Sequence, residues 1–226
     1  MDILPAAGLA AAAGYLCGSV PFAYLAVRLR TGKDLRREGS GNVGATNASR
    51  LLGRGWFFLI FGLDFAKGAL PVLLAAILFR DSTGEIPHEA FKSASLWVRC
   101  AAGAGALLGH LHPVWLGFRG GKAVATGAGV LALLVPDVCG VGLLVGVTVL
   151  LLSRYVSVAS IAGAVAATAW LFWSRRAYPG DQMLPVGLLV GSFAAVVVVR
   201  HIPNMARIAA GTEPRLFAKA EPPRDA

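Results

Sequence analysis

The sequence predicts an all-α integral membrane protein of seven transmembrane helices, with its N-terminus outside and its C-terminus cytoplasmic. Three observations lead there. The 226 residues are 56% hydrophobic and only 15% charged, which leaves too little polar surface for a soluble domain of this size. The apolar residues come in long runs, most of them near the span of a bilayer. The cations are also shared unevenly among the segments that join those runs.

The first run, 3–27, follows Asp2 rather than a basic stretch, and a signal peptide would begin with the latter. Leu16–Cys17 also lacks the small residue that lipoprotein processing wants, so the run reads as a retained first helix. Runs at 56–79 and 94–117 give the second and third spans. Runs 123–135 and 138–152 are short, with Pro136–Asp137 between them. A single helix through both would put a charge at mid-membrane, which is costly, so two short helices joined by an outer turn are expected. Runs 156–173 and 183–199 complete the set. In this arrangement the inner segments 28–54, 119–122, 154 and 200 onward hold fifteen of the Lys and Arg residues. The outer segments hold Arg80, Lys92, Arg99, Arg175 and Arg176. That bias is positive-inside. Six spans would split the polar motifs between compartments. The same bias accounts for the net charge of +9 without nucleic acid, and the surplus also suits anionic substrates or lipid. Residues 1–216 read as one membrane domain and 217–226 as a disordered tail. Cys17, Cys100 and Cys139 lie far apart in apolar runs, with no metal-ligand spacing, and read as packing residues.

Three polar segments, expected on the inner side, have the residue types of a binding site. EGSGNVGATNASR, Glu38–Arg50, contains Gly39-x-Gly41-x-x-Gly44. A dinucleotide fingerprint of that spacing needs a preceding strand, a following helix and a βαβ unit. Here it stands between RLRTGKDLRRE and a membrane span, so the nucleotide reading fails. The underlying physics survives. Gly41 and Gly44 let backbone approach a ligand, and N–H groups along Ser40–Asn47, Ala45 included, can form an anion nest. Ser40, Asn42, Thr46 and Asn47 add side-chain donors, and Arg50 adds a guanidinium suited to phosphate. The alternative is a plain Asn/Ser/Gly turn.

GHLHPVWLGFRGGKAVAT, Gly109–Thr126, resembles a Walker A loop but is one residue short, with Ala123 where Ser or Thr would bind magnesium. Arg119, Gly120, Gly121 and Lys122 nevertheless stand at the mouth of a helix expected to start near Lys122, and a helix N-terminus is an anion site. Membrane anchoring is the alternative for Arg119. His110 and His112 alone make a poor metal site. RHIPNMARIAAGTEPRL, Arg200–Leu216, puts His201 and Asn204 on one helical face, with Arg207 three residues further. An interfacial amphipathic helix is the alternative, and Glu213 can neutralise a nearby cation. SRYVSVAS places Ser157 and Ser160 at a helix start, where they cap it or complete a site wall. Asp64 and Lys67, three apart inside the second span, read as an internal ion pair that supports the site.

In this order and spacing, GSGNVGATNASR, LDFAKG, GHLHPVWLGFRGGKAVAT, SRYVSVAS and RHIPNMARIAAGTEPR resemble the bacterial acyl-phosphate:glycerol-3-phosphate acyltransferase family, the PlsY type, over about residues 14–216. Two positions depart from the family pattern: His112 stands at an aromatic position, and Ala123 follows the lysine where glycine is usual. The resemblance implies acyl transfer from acyl-phosphate to the 1-hydroxyl of glycerol 3-phosphate, yielding lysophosphatidic acid and inorganic phosphate. It implies no metal, no cofactor and neither acyl-CoA nor acyl-carrier protein. It also implies an inner-membrane enzyme in contact with lipid whose site faces the cytoplasm. His201, Asn204, Ser40, Lys122 and Arg50 would be catalytic. Gly41, Asn42, Gly44, Ala45, Thr46, Asn47, Arg119, Gly120, Gly121, Ser157, Ser160 and Arg207 would bind the substrate phosphates. An HxxxxD pairing is absent, because Ser93, Trp115, Gly117 and Ala206 stand five residues after the four histidines. The hydroxyl proton therefore goes to His201 or to a substrate phosphate.

Overall fold

The computed structural model describes residues 3–79, 94–175 and 180–217. Among these residues every regular element is helical: α1 Ile3–Gly18, α2 Phe22–Thr31, α3 Ala45–Leu52, α4 Arg54–Leu78, α5 Ala94–Leu111, α6 Val124–Leu134, α7 Pro136–Ser153, α8 Val156–Ser174 and α9 Gly180–Ala209, with short 3-10 turns at Leu35–Arg37 and Val114–Leu116. Five stretches are long and apolar enough to cross a membrane: Ile3–Thr31, Arg54–Leu78, Pro136–Ser153, Val156–Ser174 and Leu184–Ala209. Leu4, Leu29, Leu78, Leu144 and Leu152 are exposed on the bundle, an apolar belt that a water-facing surface would not carry. Arg80, Lys92, Arg176 and all of the expected tail except Phe217 lie outside the described residues.

Several expectations change in detail. The first run is two helices, broken where Pro21 withholds an N–H donor. At this break the Val20 carbonyl accepts from the Phe22 N–H at 3.2 Å and from Lys67 Nζ at 2.8 Å, so a cation from the second run braces the break in the first. Asp64 and Lys67 form the expected ion pair at 2.7 Å. Pro136 does separate two helices, as the first-turn proline of α7. Asp137 beside it accepts from Arg175 at 2.7 and 2.8 Å and from Trp170 at 3.1 Å. With 11 residues, α6 rises about 16 Å, roughly half the hydrocarbon thickness. It is largely buried by its neighbours, as so short a helix must be. Arg99 Nη2 donates to the Leu133 carbonyl near its end at 2.8 Å, so Arg99 belongs to α5 and the interior rather than to an outer loop.

Small residues allow the close crossings. A Cβ on Gly14 or Gly18 of α1 would strike the α5 backbone at Ala102 or Ala106, and one on Gly105 or Gly109 would strike α1 at Ala11 or Tyr15. Gly68 and Gly129 do the same between α4 and α6. Backbone approach of this kind drives helix association where lipid competes for apolar side chains. Val72, Val130, Val138, Leu171, Val190 and Val197 fill the core between α4 and α9. A second cluster, including Val27, Leu35, Val43 and Ile60, pins the loop before α3 onto the bundle.

Candidate active site

The glycine-rich loop turns on Gly39 and Gly41, with φ of +55° and +70°, values at which a Cβ is strained. Asn47 reaches back from α3 to hold it. Its Oδ1 accepts from the Ser40 N–H at 3.2 Å, and its Nδ2 donates to the carbonyls of Glu38 at 2.9 Å and Leu35 at 3.4 Å. The Asn47 amide and the Ser40 N–H, expected as ligand donors, are thereby spent inside the loop. Asn47 shapes the nest. The free donors are the Ser40 hydroxyl, the Asn42 amide and the N–H groups heading α3 at Ala45 and Thr46, which have no partner within their own helix. Arg50 follows one turn later. Burial lowers its pKa, yet a guanidinium stays charged at any ordinary pH.

The second motif folds as a tight return beneath α5. Gly120 N–H donates to the Leu111 carbonyl and Gly121 N–H to the His110 carbonyl, both at 3.1 Å. The helix starts at Val124, two residues later than expected, because Ala123 adopts φ +60°. That is the left-handed region, where glycine carries no penalty, which gives a physical meaning to Ala123 as a departure. Lys122 Nζ donates to Asn204 Oδ1, and burial pulls its pKa down to about 8. Arg119 is exposed and Gly121 packs on the His110 ring. Neither lines the cleft described below, in contrast to the expectation for both.

The third motif is the continuous end of α9. His201 Nδ1 lies 2.7 Å from the Val197 carbonyl. A carbonyl only accepts, so the proton sits on Nδ1 and Nε2 presents a lone pair. Beyond Ala209 the chain turns at Gly211, with Thr212 N–H returning to the Arg207 carbonyl at 2.8 Å. The turn sends Glu213 inward. Its carboxylate accepts from Arg207 Nε at 2.7 Å, Asn204 Nδ2 at 2.6 Å and Ser157 Oγ at 3.4 Å. Ser160 instead donates to its own helix, at the Val156 carbonyl.

These segments converge on one cleft of about 480 Å³. Ser40, Gly41, Asn42, Gly44, Ala45, Thr46, Asn47, Arg50, Gly120, Lys122, Ser157, Ser160, His201, Asn204 and Arg207 all line it. Sequence reasoning did not place Glu213, Arg200, Asp64 and His110 there, and they line it too. The only available signal for Glu213 was an acid six residues beyond Arg207, across a Gly–Thr turn. From this charged end the cleft continues between α6, α7, α8 and α9 past Leu131, Gly142, Val147, Gly163 and Phe193. Such a space suits an anionic head and an apolar chain together.

Known proteins with this chain's features agree with that chemistry. Residues 8–211 match the family described as glycerol-3-phosphate acyltransferase. A glycerol-3-phosphate acyltransferase of Symbiobacterium thermophilum is 44% identical over 210 residues, covering 92% of this chain and 94% of its own. One from Anaeromyxobacter dehalogenans is 41% identical over 215 residues, covering 95% and 98%. The fold is similar to crystal structures of PlsY, an integral membrane glycerol 3-phosphate acyltransferase. Its glycerol 3-phosphate form gives a TM-score of 0.79 at 38% identity, with 92% of this chain and 94% of that chain covered. Its lysophosphatidic acid form gives 0.75 at 36% over the same shares. With the family match spanning residues 8–211 and so the glycine-rich loop, the return before α6 and the α9 segment that line the cleft, this chain belongs to the glycerol-3-phosphate acyltransferase family.

Proposed function

We propose that this chain transfers an acyl group from an acyl-phosphate to the 1-hydroxyl of sn-glycerol 3-phosphate. The products are lysophosphatidic acid and inorganic phosphate, and the reaction is the first acylation of phospholipid synthesis. The observation that carries this reading is the two-part cleft, cationic and rich in donors at one end and apolar along the rest.

The loop Ser40–Thr46 holds the acyl-phosphate group through the Ser40 hydroxyl, the Asn42 amide and the amides heading α3. Arg50 and Lys122 clamp glycerol 3-phosphate, Arg207 adds charge, and His201 and Asn204 orient its hydroxyl. The hydroxyl oxygen attacks the acyl carbon, the developing oxyanion is met by fixed donors, and the carbon–oxygen bond to phosphate breaks. The hydroxyl proton passes to His201 Nε2 or to a phosphate oxygen. An acyl-phosphate is already activated, so no metal or cofactor is called on. The acyl chain lies between α6 and α9, open to lipid.

The chain crosses the bacterial inner membrane seven times, α1 with α2 forming the first crossing, with its N-terminus outside and the cleft facing the cytoplasm. Support comes from the loop before α3, the return before α6, the α7–α8 turn and the end of α9, which meet at one end of the bundle.

The deciding assay is release of inorganic phosphate by purified protein given acyl-phosphate and glycerol 3-phosphate. Release is expected, and none above background with acyl-CoA as donor. No release, with saturable uptake of glycerol 3-phosphate into vesicles, would replace the enzyme with a transporter. His201→Ala distinguishes the two proton acceptors. A large fall in kcat assigns the base role to His201, whereas a raised KM with kcat unchanged assigns it to the phosphate.

A further inference from the structure

Lys122 sits at an awkward corner. The residue after it holds φ +60° without being glycine, and no helix supports it until Val124. A lysine is a flexible point charge on a long stem, so its usefulness depends on what fixes the backbone beneath it. One residue grips that backbone from both sides, by its carbonyl and by its ring. The His110 carbonyl takes the Gly121 N–H at 3.1 Å, just before Lys122. The His110 ring takes Thr126, just after it, with Nδ1 to Oγ1 at 2.9 Å. The other edge of the ring abuts Gly121 so closely that a Cβ there would collide with Nε2. His110 and Thr126 are both buried, at 7% and 0% exposure. Asp64 Oδ1 stands 3.9 Å from His110 Nδ1. Asp64 is paired with Lys67, which in turn holds the Val20 carbonyl. The grip is therefore anchored to α4 and to the break between α1 and α2.

We infer that His110 and Thr126 are positioning residues that clamp the Gly121–Val124 corner and so set Lys122 against the substrate phosphate. The inference rests on the proposed role of Lys122. A merely structural pair would lower stability when broken, whereas a clamp acts on catalysis through one residue.

The test uses Thr126→Val, which keeps shape and removes the hydroxyl, and Thr126→Ser, which restores it. In full-length protein in detergent, Thr126→Val is expected to lower kcat/KM for glycerol 3-phosphate by at least tenfold. The loss should fall on the same parameter, kcat or KM, that Lys122→Arg changes. Thr126→Ser should recover most of it. In the double variant Thr126→Val with Lys122→Arg, the losses should fall well short of multiplying, as expected of residues acting as a unit. Wild-type kinetics in Thr126→Val, failure of Thr126→Ser to rescue, or losses that multiply fully in the double variant would each overturn the clamp. Wild-type kinetics in Lys122→Arg and Lys122→Met would instead overturn the role given to Lys122. Melting temperatures of all variants separate these outcomes from misfolding.

Discussion

Lys122 is the residue whose environment bears most directly on chemistry. Burial holds its pKa near 8, below the ordinary 10.5, because desolvation disfavours the charged form. Its folded pKa is depressed, so the stability linked to it is present above the unfolded pKa and lost as pH falls through about 8. At neutral pH Lys122 is thus a partly buried cation, and in the proposed reading the substrate phosphate is the partner that offsets its burial. Binding should weaken as pH rises through about 8 and the ammonium loses its proton. The expected profile of kcat/KM for glycerol 3-phosphate therefore has an alkaline limb with a midpoint near 8. Lys122→Arg, which keeps its charge, should lose that limb whatever its absolute rate. An unchanged limb in Lys122→Arg would assign the titration to another group. At this scale the candidate residues divide cleanly. Placement beside glycines or on one helical face singled out Arg50, Lys122, His201 and Asn204 in the sequence, and all four line the cleft. Asn47 looked the same in sequence as Asn42. Only the loop geometry tells that one amide is spent on Leu35 and Glu38 and that the other is not.

The elements were legible wherever an apolar run ended in a strong breaker. Pro136 does divide α6 from α7, and the run from 56 became α4. Two features were not legible. The break at Ser19–Pro21 is braced at the Val20 carbonyl by a distant donor, Lys67, and local sequence has no record of a partner 47 residues away. The eight-residue helix α3 inside the glycine-rich loop is shorter than an isolated helix can sustain. It survives because Ala48 and Val43 bury against α2 and α4. The α1–α5 pair makes the packing argument testable. Gly105→Val would press its side chain onto the α1 backbone at Ala11 and Tyr15, and overpacking of this kind costs about 1–3 kcal/mol. The expected result in thermal unfolding is a melting temperature lower by roughly 2–4 °C for each kcal/mol. Gly8→Ala, with nothing within 4 Å of the added carbon, should leave the midpoint in place. Equal effects from the two would show that helix propensity, not close approach, governs this pair.

Over the whole molecule, the cleft exists only because the loop before α3, the return before α6, the α7–α8 turn and the end of α9 come together. That is why the sequence did not place Glu213 and His110 in the cleft: Glu213 reaches it through the turn at Gly211, and His110, near the end of α5, faces it only through helix packing. The Leu216 N–H bonded to the Arg154 carbonyl at 2.7 Å and Phe217 stacked edge-on against Phe57 hold the Glu213 turn in place. The same convergence makes sidedness a test of the whole arrangement. Between Arg37 and Thr212 the proposed topology crosses the membrane an even number of times, through α4 to α9, so both must lie on the cytoplasmic side. Between Arg37 and Ser174, at the end of α8, the number is odd. In a protein whose native cysteines, buried or half-buried, are replaced by alanine, single cysteines at these three positions report the side directly. A thiol reagent that cannot cross membranes, applied to intact spheroplasts, should label Ser174→Cys. It should reach Arg37→Cys and Thr212→Cys only after the membrane is opened. A full reversal would turn the molecule over and put the cleft on the side without cytoplasmic acyl-phosphate. Labelling of Arg37→Cys and Thr212→Cys from different sides would break the seven-crossing count, because an odd number of crossings would then separate them.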